Sequence, residues 1–250
     1  MIEGSSKRFI AHTPASYLMQ FKDDIHGRER HDVIKGTGAL RKAFTYHFYK
    51  HLEEKGLLTH LYEQEENALK EDGILVHRCT PIKLEILVRN VARGHWVDAH
   101  KVPLFPAGVV FDQPIVEFCL KIKKDGLDDP RVSPALILAL QRYAKDEEIR
   151  GHLLLNLDEV TVLETLALEI NKHYKELLMP HGWVLEDFKF EVGVMHGTRA
   201  FVLIDEISPD SSRIRDQEGG SLTKDLFRER RAPQEVYKRY LQVLEAVQCL

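Results

Sequence analysis

Between Leu185 and Gly193 polar and apolar residues alternate. Asp187, Lys189 and Glu191 share one face of an extended strand with Leu185, and Phe188, Phe190 and Val192 share the other. Ala200–Ile204 is a second extended apolar run, and His196-Gly197-Thr198 supplies turn residues between them, so the two runs predict a β-hairpin. Pairing odd with odd positions places Asp205 on the Lys189/Glu191 face. Helical spacing is equally plain. Leu40, Phe44, Phe48 and Leu52 recur at i, i+4, and Gly56 supplies the stop. Ser133-Pro134 predicts an N-cap and first-turn proline for a helix over 135–143. Asp158 is the expected cap of a long helix that buries Val162, Leu163, Leu166, Ile170, Tyr174 and Leu177 and ends at Pro180. A last helix begins near Pro233 and buries Val236, Tyr240, Val243 and Val247. These stripes read as core.

Ile74–Val76 and Lys83–Val88 read as strands, with Cys79-Thr80-Pro81 as a hinge between lobes and a Pro- and Gly-containing loop over 102–112. Strands mixed with helices predict an α+β fold in two lobes. Residues 1–80 form a small strand-rich lobe with one helix, and 81–250 a larger α+β lobe carrying the hairpin.

Composition narrows the function classes. A chain of 250 residues with 44% hydrophobic and 30% charged positions is ordinary for a globular protein. A net charge of −4 argues against a general nucleic-acid or membrane-surface binder. Three widely spaced cysteines without a C-x-x-C pair suit a reducing compartment. With no apolar run of membrane-spanning length and no signal-like start, the expectation is cytoplasmic. Thirteen histidines show no H-E-x-x-H spacing, and His47 and His51 read as packed or surface residues.

A lysine between carboxylates on rigid strands suits a Mg-nucleotide site, with hard oxygen ligands for Mg²⁺ and a cation for phosphate. The same pattern also fits a solvated polar face. Asp187-Phe188-Lys189-Phe190-Glu191-Val192-Gly193, followed by Asp205-Glu206-Ile207-Ser208-Pro209-Asp210-Ser211-Ser212-Arg213, resembles the paired signature of the SAICAR synthetases. The likeness extends through Phe21–Asp24, Gly36–Arg41, Glu54–His60, Leu84–Asn90, the Lys121, Asp125 and Asp129-Pro130 pattern, and Lys224–Arg228. It implies a SAICAR-synthase-like two-lobed fold with an ATP-grasp-like nucleotide cleft. The implied reaction joins a carboxylated aminoimidazole ribonucleotide to L-aspartate with ATP and Mg²⁺ through an acyl phosphate. It also implies, weakly, a homo-oligomer.

The resemblance assigns Glu191 and Asp205 to the metal and the phosphate end, and Lys189 to the transferred phosphoryl group. Lys7 and Lys121 go to the nucleotide, although Lys7 also reads as part of a frayed terminus and Lys121 as a solvated lysine. Arg89, Arg213 and Arg228 are candidates for the ribonucleotide phosphate. Arg89 also reads, as the lesser alternative, as one half of an ion pair with Glu85 or another acid.

The chain departs from the family pattern on the substrate side. Gly94-His95-Trp96-Val97-Asp98-Ala99 puts His95 where the family has serine, and Asp98-Ala99 where it has a basic pair. Arg93 replaces a usual alanine and offers a compensating phosphate donor. The loop over 24–31 is short, Thr37 stands for a lysine, and so does Ser5. Three readings follow: a divergent SAICAR synthetase, a paralogous ATP-dependent carboxylate–amine ligase with another acid or amine, and a non-catalytic nucleotide-binding protein.

Overall fold

The structure is a computed structural model describing residues 1–27, 30–62, 67–94, 97, 106–124, 127–147, 150 and 155–248. Strands β1 (Ile2–Glu3), β2 (Lys7–Thr13) and β3 (Ser16–Phe21) form an antiparallel meander. β4 (Asp24–Gly27) and β5 (Arg30–Val33) form a separate hairpin. Helix α1 (Thr37–Glu54) follows, and the Asp23 carboxylate accepts from Gly36 N at 2.9 Å and Gly38 N at 2.8 Å, satisfying its first free amides. Leu40, Phe44, Phe48 and Leu52 are buried as expected, and Gly56 takes a left-handed φ of 83° beyond the helix end. β6 (Ile74–His77) completes a four-stranded sheet in the order β1-β2-β3-β6.

The second sheet is built from β7 (Cys79–Val91) and β8 (Val110–Leu120), followed by a small β9 (Lys123–Lys124) and β10 (Leu127–Asp128) hairpin and by β11 (Arg131–Val132). Helices α2 (Pro134–Tyr143) and α3 (Leu157–Leu178) precede β12 (Val184–Met195), β13 (Phe201–Ile204) and β14 (Ser212–Arg215). The strand order is β11-β8-β7-β12-β13, with β14 also paired to β12. α4 (Asp225–Arg228) and α5 (Pro233–Gln248) close the chain, and α5 buries all four residues of its expected stripe. Among the described residues no helix is long and apolar enough to cross a membrane.

Aromatic packing joins the layers. Tyr174 of α3 lies 4.7 Å from Phe48 of α1 and 5.6 Å from Phe188 of β12, centroid to centroid. Each such buried ring contributes roughly 1.5–3 kcal/mol relative to exposure. The two sheets are tied by segment 58–60. Leu203 N donates to Leu58 O, His60 N to Leu203 O, and His77 N to His60 O.

Several local expectations are corrected. Cys79-Thr80-Pro81, expected as a connecting hinge, is strand and opens β7, paired with β12 through Met195, Val194 and Gly193. The expected loop over 102–112 ends earlier, because β8 begins at Val110. Asn156, not Asp158, caps α3. Its side chain accepts from Glu159 N while Glu159 accepts from Asn156 N, a reciprocal capping box. That start leaves Val162 half exposed and buries Val160 instead. The hairpin pairs odd with even positions, Glu191 with Ile204 and Val192 with Leu203. Its turn holds four residues, since Met195 N bonds Ala200 O, whereas a three-residue turn would have paired odd with odd. Leu185 leaves the polar face for the core, because a register shift at Glu186 reverses the alternation.

Candidate active site

β12 carries Asp187, Lys189 and Glu191 along one face, and its neighbours complete two rows across the sheet. In the first row Asp187 stands between Arg89 of β7 and Arg213 of β14. Arg89 Nη1 donates to Asp187 Oδ2 at 3.1 Å and Arg213 Nη1 at 2.7 Å. In the second row Glu191 lies directly opposite Glu85. Like charges so placed repel, and each is met by a lysine. Lys189 Nζ bonds Glu85 at 2.7 Å, and Lys121, just beyond β8, bonds Glu191.

The shifted hairpin register does not carry Asp205 onto this face by alternation. It arrives because the backbone turns left-handed at Asp205 itself, with φ 65°. A non-glycine residue in that region is held there by its surroundings. Tyr49 Oη donates to the preceding carbonyl of Ile204 at 3.1 Å, and the buried His60 packs edge-on to Tyr49. Burial depresses His60 to about 3, so its imidazole is neutral.

Opposite Asp205, Lys7 reaches over from the small sheet. Its Nζ lies 2.9 Å from Asp205 and 2.5 Å from Glu206. Burial alone would lower the Lys7 pKa, but the two carboxylates outweigh it and the net shift is upward. Burial likewise pushes Glu206 up, yet the charges of Lys7 and Arg41 hold it at about 2. Arg41 is buried and also lies 3.5 Å from Asp210, which accepts from Lys224 at 3.1 Å and Tyr240 at 2.5 Å. Glu191 is raised, first by burial and then by the nearby charge of Asp205.

Together Lys7, Lys121, Lys189, Glu85, Glu191 and Asp205 line a polar cavity of about 200 Å³. A larger cavity of about 360 Å³ at the hairpin end, around Val194 to Phe201, contains none of these charges. Chemistry therefore singles out the smaller one.

The remaining expected residues gather beside the first row. Arg213 Nε bonds Asp225 at 3.1 Å, and Arg228 bonds the other oxygen of Asp225 at 2.5 Å. Arg93 bonds Glu186 at 2.9 Å and is partly exposed. Arg89 is buried and engaged at both ends, by Glu117 and by Asp187, which is the ion-pair alternative of its sequence reading. Gly94 packs on Arg213. A Cβ there would stand 2.7 Å from a guanidinium nitrogen, and the backbone is left-handed at φ 65°. His95, Asp98, Ala99 and Asp125 lie outside the described residues.

The sequence signature of the SAICAR synthetase family matches residues 1–244. This chain belongs to that family. A phosphoribosylaminoimidazole-succinocarboxamide synthase from Coprothermobacter proteolyticus is 34% identical over 255 residues, spanning 100% of this chain and 98% of that protein. The crystal structure of the synthase from Ehrlichia chaffeensis superposes with a TM-score of 0.86 at 30% identity, covering 100% of this chain and 98% of the other. A SAICAR synthetase solved in complex with ADP gives 0.82 at 30% identity, covering 99% and 97%. The expected α+β, SAICAR-synthase-like fold is thus borne out.

Sequence reasoning left the supporting charges of this SAICAR synthetase family member unnamed. Glu206 and Asp210 lie inside the acidic run that marked the hairpin, and Lys224 and Asp225 open the quoted Lys224–Arg228 match. Their positions were visible, but not that Arg41 and Lys7 would converge on them. Glu85 was named only as a partner for Arg89, whereas it bonds Lys189 and the acid on Arg89 Nε is Glu117, which gave no signal beyond strand alternation.

Proposed function

We propose that this protein is an ATP-dependent carbon–nitrogen ligase that joins a carboxylated aminoimidazole ribonucleotide to L-aspartate, yielding the succinocarboxamide, ADP and phosphate. The observation that carries this reading is the cavity in which Lys7, Lys121 and Lys189 meet Glu191 and Asp205. Membership of a family whose relatives bear the synthase name supports the substrates, and the ADP complex of one of them supports the nucleotide.

A carboxylate is a poor electrophile. In the proposed route its oxygen attacks the γ-phosphorus, and the bond to ADP breaks. The aspartate amine then attacks the acyl carbon and loses a proton as phosphate departs. Catalysis of such transfers is mainly positioning and electrostatics. Lys7, from the small sheet, and Lys121 would hold nucleotide phosphates, and Lys189 would steady the transferred group. Glu191 and Asp205 offer hard oxygen donors, and a cation between them would offset both causes of the upward shift of Glu191, its burial first and the nearby charge of Asp205 second, so the pair fits Mg²⁺. When bound, the ion would neutralise phosphate charge. Arg213 and Arg228, steered by Asp187 and Asp225, would receive the ribonucleotide phosphate, with Arg93 beside them and Arg89 acting through Asp187. His95 belongs to the same substrate side by sequence. Lobes at 1–80 and 81–250, a homo-oligomer and a cytoplasmic setting complete the proposal.

The test is phosphate release coupled to ATP, with aspartate and the ribonucleotide omitted in turn. Turnover that needs both is expected, together with strong thermal stabilisation by Mg-ATP. Absence of that stabilisation would remove the nucleotide reading. Stabilisation without turnover on this pair would favour the second reading, a ligase for another acid or amine, which the altered 93–99 segment supports.

A further inference from the structure

Asp24, His26 and His31 carry metal-ligating atoms, and none of them lines the polar cavity. Their placement follows from the β4–β5 register, in which Asp24 pairs with Val33, Ile25 with Asp32, His26 with His31 and Gly27 with Arg30. Side chains alternate along a strand, so Asp24 and His26 share a face, and His31, directly opposite His26, joins them. The two imidazoles stack with centroids 4.4 Å apart, and His31 Nε2 lies 2.8 Å from Asp24 Oδ1. One donor atom from each residue falls within 4.8 Å of the other two. The register therefore places all three residues on one face of the hairpin.

A second observation points to a ligand. Nε2 of His26 is sealed from solvent and has no hydrogen-bond partner. A buried polar atom left in that state is costly, and coordination through that nitrogen would remove the cost. Two imidazoles and one carboxylate, with a coordination position left open, form a donor set for a borderline divalent ion. Mg²⁺ prefers oxygen ligands and is poorly served here. Among the described residues, Lys22 Nζ lies 4.0 Å from the second Asp24 oxygen and leaves Oδ1 to His31.

We propose that Asp24, His26 and His31 bind one borderline divalent transition-metal ion of the Zn²⁺ class, separate from the oxygen-donor site in the polar cavity. The ion clamps β4 to β5, and the hairpin is packed directly on α4. Arg30 Nη1 donates to Phe227 O at 2.5 Å, its guanidinium lies over the Phe227 ring, and a Cβ on Gly27 would stand 3.0 Å from Arg228 Cγ. Since α4 supplies Asp225 to both Arg213 and Arg228, occupancy steadies the arginines on the substrate side.

The experiment titrates Zn²⁺ and Co²⁺ into the full-length, chelator-treated protein in the presence of excess Mg²⁺. One equivalent should bind, with a visible Co²⁺ absorption band and a rise in melting temperature. Asp24→Asn, His26→Asn and His31→Asn should each weaken binding at least about tenfold, whereas Glu191→Gln should leave Zn²⁺ binding unchanged. Histidine acylation of the unmutated protein, mapped by mass spectrometry, supplies a readout that needs no variant: Zn²⁺ should protect the exposed His31 selectively. Absence of stoichiometric binding, equal affinity in the histidine variants, or a modification pattern indifferent to Zn²⁺ would each overturn the proposal.

Discussion

Glu206 takes bonds from Lys7 and from Ser208 Oγ, and lies 3.3 Å from Arg41, where water is excluded. Removing its charge leaves two buried cations with one carboxylate each, Asp205 for Lys7 and Asp210 for Arg41, so Glu206→Gln should cost about 3 kcal/mol, the lower end of the range for breaking a buried pair, measured by urea denaturation. A loss below about 1 kcal/mol would contradict that arrangement. The pH dependence follows from the same residue. Its carboxyl sits at about 2 in the folded chain against 4.5 ordinarily, so its stabilisation is complete above pH 4.5 and is lost as pH falls towards 2. The Gln variant should lack that decline. Glu191→Gln or Asp205→Asn should instead abolish turnover while shifting stability by only about 1 kcal/mol, since both carboxylates are partly open to solvent. A variant of either that retained near-normal kcat would remove that residue from the site.

At the scale of elements, what could be read from sequence depended on whether the governing interaction was local. The faces of α1 and α5 were legible because four apolar residues at helical spacing admit one buried side. The cap of α3 was misread because Asn156 and Asp158 are both good caps, and only the reciprocal bond with Glu159 decides between them. Asn156→Ala should therefore destabilise by about 1 kcal/mol and Asp158→Ala by much less, as thermal and chemical unfolding can check. Hairpin register failed for a related reason. His196-Gly197-Thr198 advertises a turn but not whether Arg199 belongs to it, and one residue more exchanges odd pairing for even. Asp205 nevertheless entered the site, by a left-handed turn that alternation does not encode.

Over the whole molecule, the site is assembled from distant parts. Lys7 and Asp205 are 198 residues apart, and Lys7 comes from the small sheet while Glu191 belongs to the large one. Resemblance singled out these residues for one candidate site, because motif order survives where geometry cannot be inferred. It could not tell that Arg89 would be enclosed between Glu117 and Asp187. The division of charge between the cavity and the Asp187–Asp225 cluster predicts separable effects. Arg213→Ala should weaken the phosphorylated substrate about 10–100-fold while changing ATP affinity little, and equal losses in calorimetric titrations of both would contradict it. The guanidinium of Arg213 also occupies the volume that any side chain at position 94 would need. A methyl group at position 94 would have to push that guanidinium aside, loosening its hold on Asp187, and would sit on a backbone already left-handed, so the position just before the divergent segment favours glycine on two counts.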